Sequence, residues 1–124
     1  MNGLHLTADL SGCQCDIAWL TDAERLGEAC IKAVTQAGLQ AVAQLFHTFP
    51  SGKTGIAGGV TATVLLAESH LCVHTWPEKN AVTLDVYVCN FGGDHSEKAR
   101  ALMASLMQLF KPSKAAVNAL ERGV

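Results

Sequence analysis

The 124-residue chain reads as an α+β two-layer sandwich, an antiparallel sheet with helices on one face. Three observations lead there. Short runs alternate apolar and polar residues, the period of a half-buried strand. Two longer runs repeat apolar residues at helical spacing. The elements follow the order strand, helix, two or three strands, helix, which leaves one sheet face without helices. Apolar residues make up 49% of the chain and charged residues 16%. That excess of apolar surface predicts that the open face packs against a second copy, giving an αββα dimer.

The first strand is expected over residues 4–10, where Leu4, Leu6, Ala8 and Leu10 alternate with His5, Thr7 and Asp9. Thr21-Asp22-Ala23-Glu24 has the form of a capping box. After it, Leu26, Cys30, Ala33, Val34 and Ala37 recur on one helical face, and Gly38 closes the helix. A second strand spans about 39–49, followed by loop chemistry over 50–59. Three strands are expected at about 60–67, 70–76 and 81–89, joined by Glu68-Ser69 and by Pro77-Glu78-Lys79-Asn80. Residues 96–110 form the second helix, with Ala99, Leu102, Met103, Leu106, Leu109 and Phe110 inward. Pro112 ends it, and 115–120 reads as a short edge strand.

One domain, 1–124, accounts for the whole chain, and a chain of this length can bury its own core. A formal charge of -2 and a pI near 6.2 leave no basic stripe for nucleic acid. No segment approaches the roughly 18 apolar residues of a membrane span, and Met1-Asn2-Gly3-Leu4-His5 lacks the regions of a signal peptide. A cytoplasmic protein is expected. Cys13, Cys15, Cys30, Cys72 and Cys89 are odd in number and irregularly spaced, as unpaired thiols are in a reducing compartment. Cys13-Gln14-Cys15 lacks the second pair that a zinc site would need, so no metal is expected. Lys53-Thr54 is not a phosphate loop, because His47 stands where its first glycine would be and no helix follows.

The chemistry gathers in Glu68-Ser69-His70-Leu71-Cys72-Val73-His74-Thr75-Trp76-Pro77-Glu78, with Cys89 twenty residues after the serine. This string resembles the core motif of the bacterial and archaeal S-adenosylmethionine decarboxylases, which are pyruvoyl enzymes. The resemblance is dense over about 46–89 and looser outside it.

The resemblance implies that Ser69 attacks the carbonyl of Glu68, turning an amide into an ester. Elimination then cuts the chain into 1–68 and 69–124 and leaves a pyruvoyl group, the cofactor, in place of Ser69. A strained turn between two strands can assist this step; without the motif, Ser69 is an ordinary hairpin residue. His74 matches the base that takes the α proton of the ester, though it could also be a hydrogen-bonded core histidine. Thr61 stands where the family usually has a serine that assists processing; the hydroxyl is kept and a methyl added. Cys89 matches the acid that protonates the product carbon after the substrate's Schiff base loses carbon dioxide. A buried, inert thiol is its alternative. Glu78 matches the carboxylate that accepts the ribose hydroxyls, and Phe49 the aromatic that stacks on the adenine and sulfonium. Trp76 reads most simply as core. The loop 50–58 is several residues longer than the family's link.

Register adds a further expectation. If Glu78-Lys79 is the tip of a turn, paired positions sum to about 157 and Cys89 lies opposite Glu68. His74 then sits five residues, about 16 Å, along the strand from Ser69. It cannot reach its own serine. A face-to-face homodimer would bring His74, Thr61 and Glu78 of one chain to Ser69 and Cys89 of the other, as the family's interfacial sites imply.

The leading expectation is a decarboxylase acting on S-adenosylmethionine, whose product donates the aminopropyl group in spermidine synthesis. A relative acting on ornithine or arginine keeps the chemistry, with Glu78 or Asp85 recruited for the second amine. Two other classes remain: a dimeric binding module that never cuts itself, and a metal sensor built on His70, His74 and the cysteines.

Overall fold

A computed structural model describes residues 2–52, 55 and 57–124. The elements are β1 (Asn2–Cys13), α1 (Ala18–Thr21), α2 (Ala23–Gln36), β2 (Ala41–Thr48), β3 (Val60–Leu66), β4 (Ser69–Trp76), β5 (Ala81–Cys89), α3 (Ser96–Phe110) and β6 (Pro112–Gly123). The strands form one antiparallel sheet in the order β2-β3-β4-β5-β1-β6. The helices cover one face of it, as the alternation predicts.

Period-two burial fixes that face. Leu4, Leu6, Ala8 and Leu10 of β1 share it with Val60, Ala62 and Val64 of β3, Leu71 and Val73 of β4, and Val82 through Val88 in alternation on β5. Against them pack Leu26, Cys30 and Val34 of α2 and Leu102, Leu106 and Phe110 of α3. Each fully buried aliphatic or aromatic side chain of this set contributes about 1.5–3 kcal/mol, so this layer holds the sandwich together.

Four details differ from the sequence expectations. Asp22, not Thr21, caps α2: its carboxylate accepts the Glu24 and Arg25 amides at 3.1 and 3.2 Å. Thr21 instead closes α1, donating its hydroxyl to the Ile17 carbonyl, because one acidic side chain can serve two orphan N–H groups. Leu109 is only partly buried. The connection after β4 is a turn of 3-10 helix over Pro77–Lys79 closed by left-handed Asn80, yet its centre keeps the register, with His70 opposite Tyr87 and Trp76 opposite Ala81. Finally, β6 runs 12 residues as an exposed edge strand because β1 pairs with it from Asn2 to Cys13, Gly12 alone excepted. Gly38 does close α2, at φ 85°, with Leu39 N–H bonded to Val34 O and Gly38 N–H to Thr35 O. That is a Schellman motif.

No helix among the described residues is long and apolar enough to cross a membrane.

Candidate active site

Two groups of chemistry-bearing residues occupy opposite ends of β4. At its start, Leu66 pairs with Ser69, so Ala67-Glu68 forms a two-residue hairpin turn. Glu68 takes φ 56°, a left-handed conformation that costs a non-glycine residue about 1–3 kcal/mol. The strain lies at the residue whose carbonyl Ser69 would attack. Ser69 Oγ accepts the Cys89 N–H at 3.0 Å, which fixes the hydroxyl beside the thiol-bearing residue. Glu68, Ser69 and Cys89 line one cavity of about 190 Å³, completed by the α2–β2 connection and by His95 and Lys98 at the start of α3. Ser69 belongs to the helix-facing row with Leu71 and Val73.

At the other end, Thr61 pairs with His74 and the Thr61 hydroxyl meets His74 Nδ1 at 2.9 Å. Both face the open side. Phe49, Trp76 and Glu78 line the same cavity, about 580 Å³ in volume. Trp76 is thus not core. It is 45% exposed because it shares the parity of His74 on β4. The Phe49 ring stands edge-on to His47, 4.7 Å between centroids. Beneath this end, buried Thr75 accepts the Val60 N–H at 2.8 Å and donates to Leu20 O at 2.6 Å. A side chain on Gly59 would sit 2.2 Å from Thr75 O, so only glycine lets the loop return this close. Lys53-Thr54, set aside above as a phosphate loop, lies outside the described residues.

Within one chain, then, Glu68, Ser69 and Cys89 come together, and so do Thr61, His74, Glu78 and Phe49. The two sets remain apart, on opposite sides and ends of β4.

Between them lies a group that sequence reasoning did not assemble. Asp85 Oδ2 accepts from His5 Nε2 at 2.9 Å and from His70 Nε2 at 2.7 Å. Arg122 Nη1 donates to His5 Nδ1 at 3.2 Å and its guanidinium lies over the Tyr87 ring. A guanidinium only donates, so His5 carries its ring hydrogen on Nε2 and points it at Asp85. In this arrangement Nε2 has no lone pair for a metal ion, although His5, His70 and Asp85 are close enough to ligate one. The sensor built on His70, His74 and the cysteines finds no support here, since His74 bonds Thr61 and His70 bonds Asp85. Register could have found this group, because Thr7 opposite Asp85 and His70 opposite Tyr87 place His5 and His70 beside Asp85. Burial pushes the nearby Cys72 thiol up; a Thr63 hydrogen bond opposes that and Asp85 adds to it.

Residues 4–123 match the family model described as S-adenosylmethionine decarboxylase. Among curated relatives, the S-adenosylmethionine decarboxylase proenzyme of Persephonella marina is 38% identical over 123 residues, covering 98% of this chain and 82% of its own. That of Aquifex aeolicus is 39% identical over 124 residues, with the same shares. The crystal structure of the Aquifex aeolicus adenosylmethionine decarboxylase superposes with a TM-score of 0.83 at 34% identity, covering 98% of this chain and 91% of that one. A Trypanosoma brucei AdoMetDC monomer shares the fold over 92% of this chain but only 44% of its own, with a TM-score of 0.58 at 12% identity.

Proposed function

The chain belongs to the S-adenosylmethionine decarboxylase family, and on that premise we propose that it cuts itself between Glu68 and Ser69 and then decarboxylates S-adenosylmethionine. The observation that carries this reading is the Glu68-Ser69 turn, with its left-handed Glu68 and its serine hydroxyl held by the Cys89 N–H. Strain in the peptide is relieved when Ser69 Oγ attacks the Glu68 carbonyl and the amide becomes an ester. Removal of the Ser69 α proton then expels Glu68 as a carboxylate. Tautomerisation and hydrolysis of the dehydroalanine release ammonia and leave a pyruvoyl group at residue 69.

The surroundings fit such a group, because the cavity beside Ser69 has room next to Cys89. Once formed, it supplies an electrophilic carbonyl and a sink for the electrons of the departing carboxylate. Cys89 holds the proton that returns to the substrate's α carbon. The larger cavity holds the nucleoside, with Phe49 and Trp76 as aromatic walls and the Glu78 carboxylate accepting the ribose hydroxyls. Its volume of about 580 Å³ falls in the range of sites for drug-sized ligands. A nucleoside needs that aromatic surface; ornithine or arginine has no use for it, which favours S-adenosylmethionine.

His74, paired with Thr61, is the base in cleavage, and it acts on a second copy. A two-fold axis between two open faces, crossing β4 near Cys72, sets the His74 end of each strand over the Ser69 end of its neighbour. The open face supports that packing, since its central residues are already paired with one another through Asp85. Five free cysteines at scattered positions fit a cytoplasmic setting.

Two measurements test this reading. Mass analysis of the purified protein should give fragments 1–68 and 69–124 in place of the 13.1 kDa chain, and Ser69→Ala should leave it whole. Carbon dioxide release should follow addition of S-adenosylmethionine but not of ornithine or arginine. An uncut wild-type chain would remove the enzyme reading, whereas turnover of a diamino acid alone would change only the substrate.

A further inference from the structure

Behind Ser69, on the helix side, the 190 Å³ cavity is lined by two residues that the steps above leave idle, His95 and Lys98. His95 Nδ1 is buried with no hydrogen-bond partner among the described residues. Its backbone is fixed, because the His95 N–H donates to Asn90 Oδ1 at 2.9 Å and the Asn90 N–H to Asn2 O at 2.7 Å. Lys98 lines the same cavity, and its Cε would lie 3.5 Å from a Cβ on Gly38, so its stem runs across the end of α2. No ion pair involving Lys98 is present among the described residues. His95 is the N-cap of the 15-residue α3 and Lys98 lies in its first turn, where the amide dipoles favour a negative charge.

Self-cleavage makes such a charge at this place. In the elimination step, the base takes the α proton of residue 69, the Cβ–O bond breaks, and both electrons go to the oxygen. Residue 68 departs as an α-carboxylate and residue 69 becomes dehydroalanine. The new charge appears on the residue that already carries the Glu68 side-chain carboxylate, and the two repel. We propose that His95 and Lys98 form an anion subsite that receives the α-carboxylate of residue 68 and stabilises it as the leaving group. The Lys98 ammonium supplies the charge and the His95 ring a hydrogen bond. The proton leaves toward the open face, where the proposed dimer brings the partner's His74, and the carboxylate toward the helix face. Base and leaving group thus lie on opposite sides of the Cα–Cβ bond, the arrangement that elimination favours.

This inference rests on the cleavage reading, and one experiment separates their failures. Full-length chains made by cell-free synthesis are followed over time for cutting, and the uncut fraction is treated with neutral hydroxylamine, which opens an ester but not an amide. Lys98→Gln and His95→Ala should each slow cutting by about tenfold, the scale of one charge-assisted hydrogen bond. Their uncut chains should become largely hydroxylamine-sensitive, since the block falls after the ester forms. Lys98→Arg should restore most of the rate. Variants cutting at the wild-type rate would overturn the subsite. So would slow cutting without a hydroxylamine-sensitive pool, which places the defect before the ester or in the fold. An uncut wild-type chain would overturn the cleavage reading itself.

Discussion

Thr75→Val removes two buried hydrogen bonds while nearly preserving shape. Thr75 is 4% exposed, and its hydroxyl joins the Val60 N–H of β3 to the Leu20 carbonyl at the end of α1. Valine leaves both backbone groups buried without that partner, at about 1–3 kcal/mol each. Taking about 1.5 kcal/mol apiece, the variant loses about 3 kcal/mol. Unfolding entropy of about 2.1 cal/mol/K per residue gives about 0.26 kcal/mol/K for 124 residues. The midpoint should therefore fall by about 11 °C. Thr75→Ser keeps the hydroxyl and loses one methyl, about 1 kcal/mol. The comparison is best made on the uncut Ser69→Ala chain, by urea unfolding followed through Trp19 and Trp76 fluorescence, where the denaturant slope should stay constant. A valine variant as stable as the serine variant would refute the reasoning, because the methyl rather than the hydroxyl would then carry the stability.

Four further outcomes are expected. Thr61→Val should slow chain cutting by about tenfold, since it removes the hydroxyl bonded to His74 Nδ1, while Thr61→Ser should not; equal rates for valine and threonine would detach Thr61 from the work of His74. Cys89→Ala should still cut but should release little carbon dioxide or a misprotonated product, and normal turnover would remove Cys89 as the proton donor. Ser69→Ala and His74→Ala chains, each inert alone, should show partial cutting when refolded together; none would mean that His74 serves its own chain. Burial pushes the Cys30 thiol up to about 12, so at pH 8 almost none is thiolate and iodoacetamide should label Cys30 only after unfolding. Early labelling of the native chain would contradict that burial.

Periodicity made most of the sheet legible. The bounds of β5 and α3 follow from their apolar patterns alone, and the sum of 157 places Cys89 beside Ser69 before any coordinates. The failures have local causes. The ends of β6 are dictated by pairing with β1, and its own 12 residues, nearly all exposed, carry no burial signal. Trp76 looked like core by residue type, but parity with His74 puts it on the open face, where type is no guide. Asp22 outcompeted Thr21 as the cap, and a four-residue pattern cannot tell which of two adjacent polar side chains will take the role. His95 escaped notice because the lack of a partner for its Nδ1 among the described residues is a property of burial that no spacing encodes.

The Phe49 N–H bonds to the Gly59 carbonyl at 2.9 Å, directly before Val60 opens β3. That bond makes the intervening residues a closed excursion whose two feet are fixed in the sheet. Doubling the length of such an excursion costs only about 0.6 kcal/mol in closure entropy. Its length and composition can therefore drift without disturbing the ladder that aligns Thr61 with His74. The fold separates two problems that selection would otherwise have to solve together. The hydroxyl and imidazole are held by a rigid ladder, and the cavity beside them is walled in part by Pro50, Gly52, Ala57 and Gly58, which that ladder leaves free to vary.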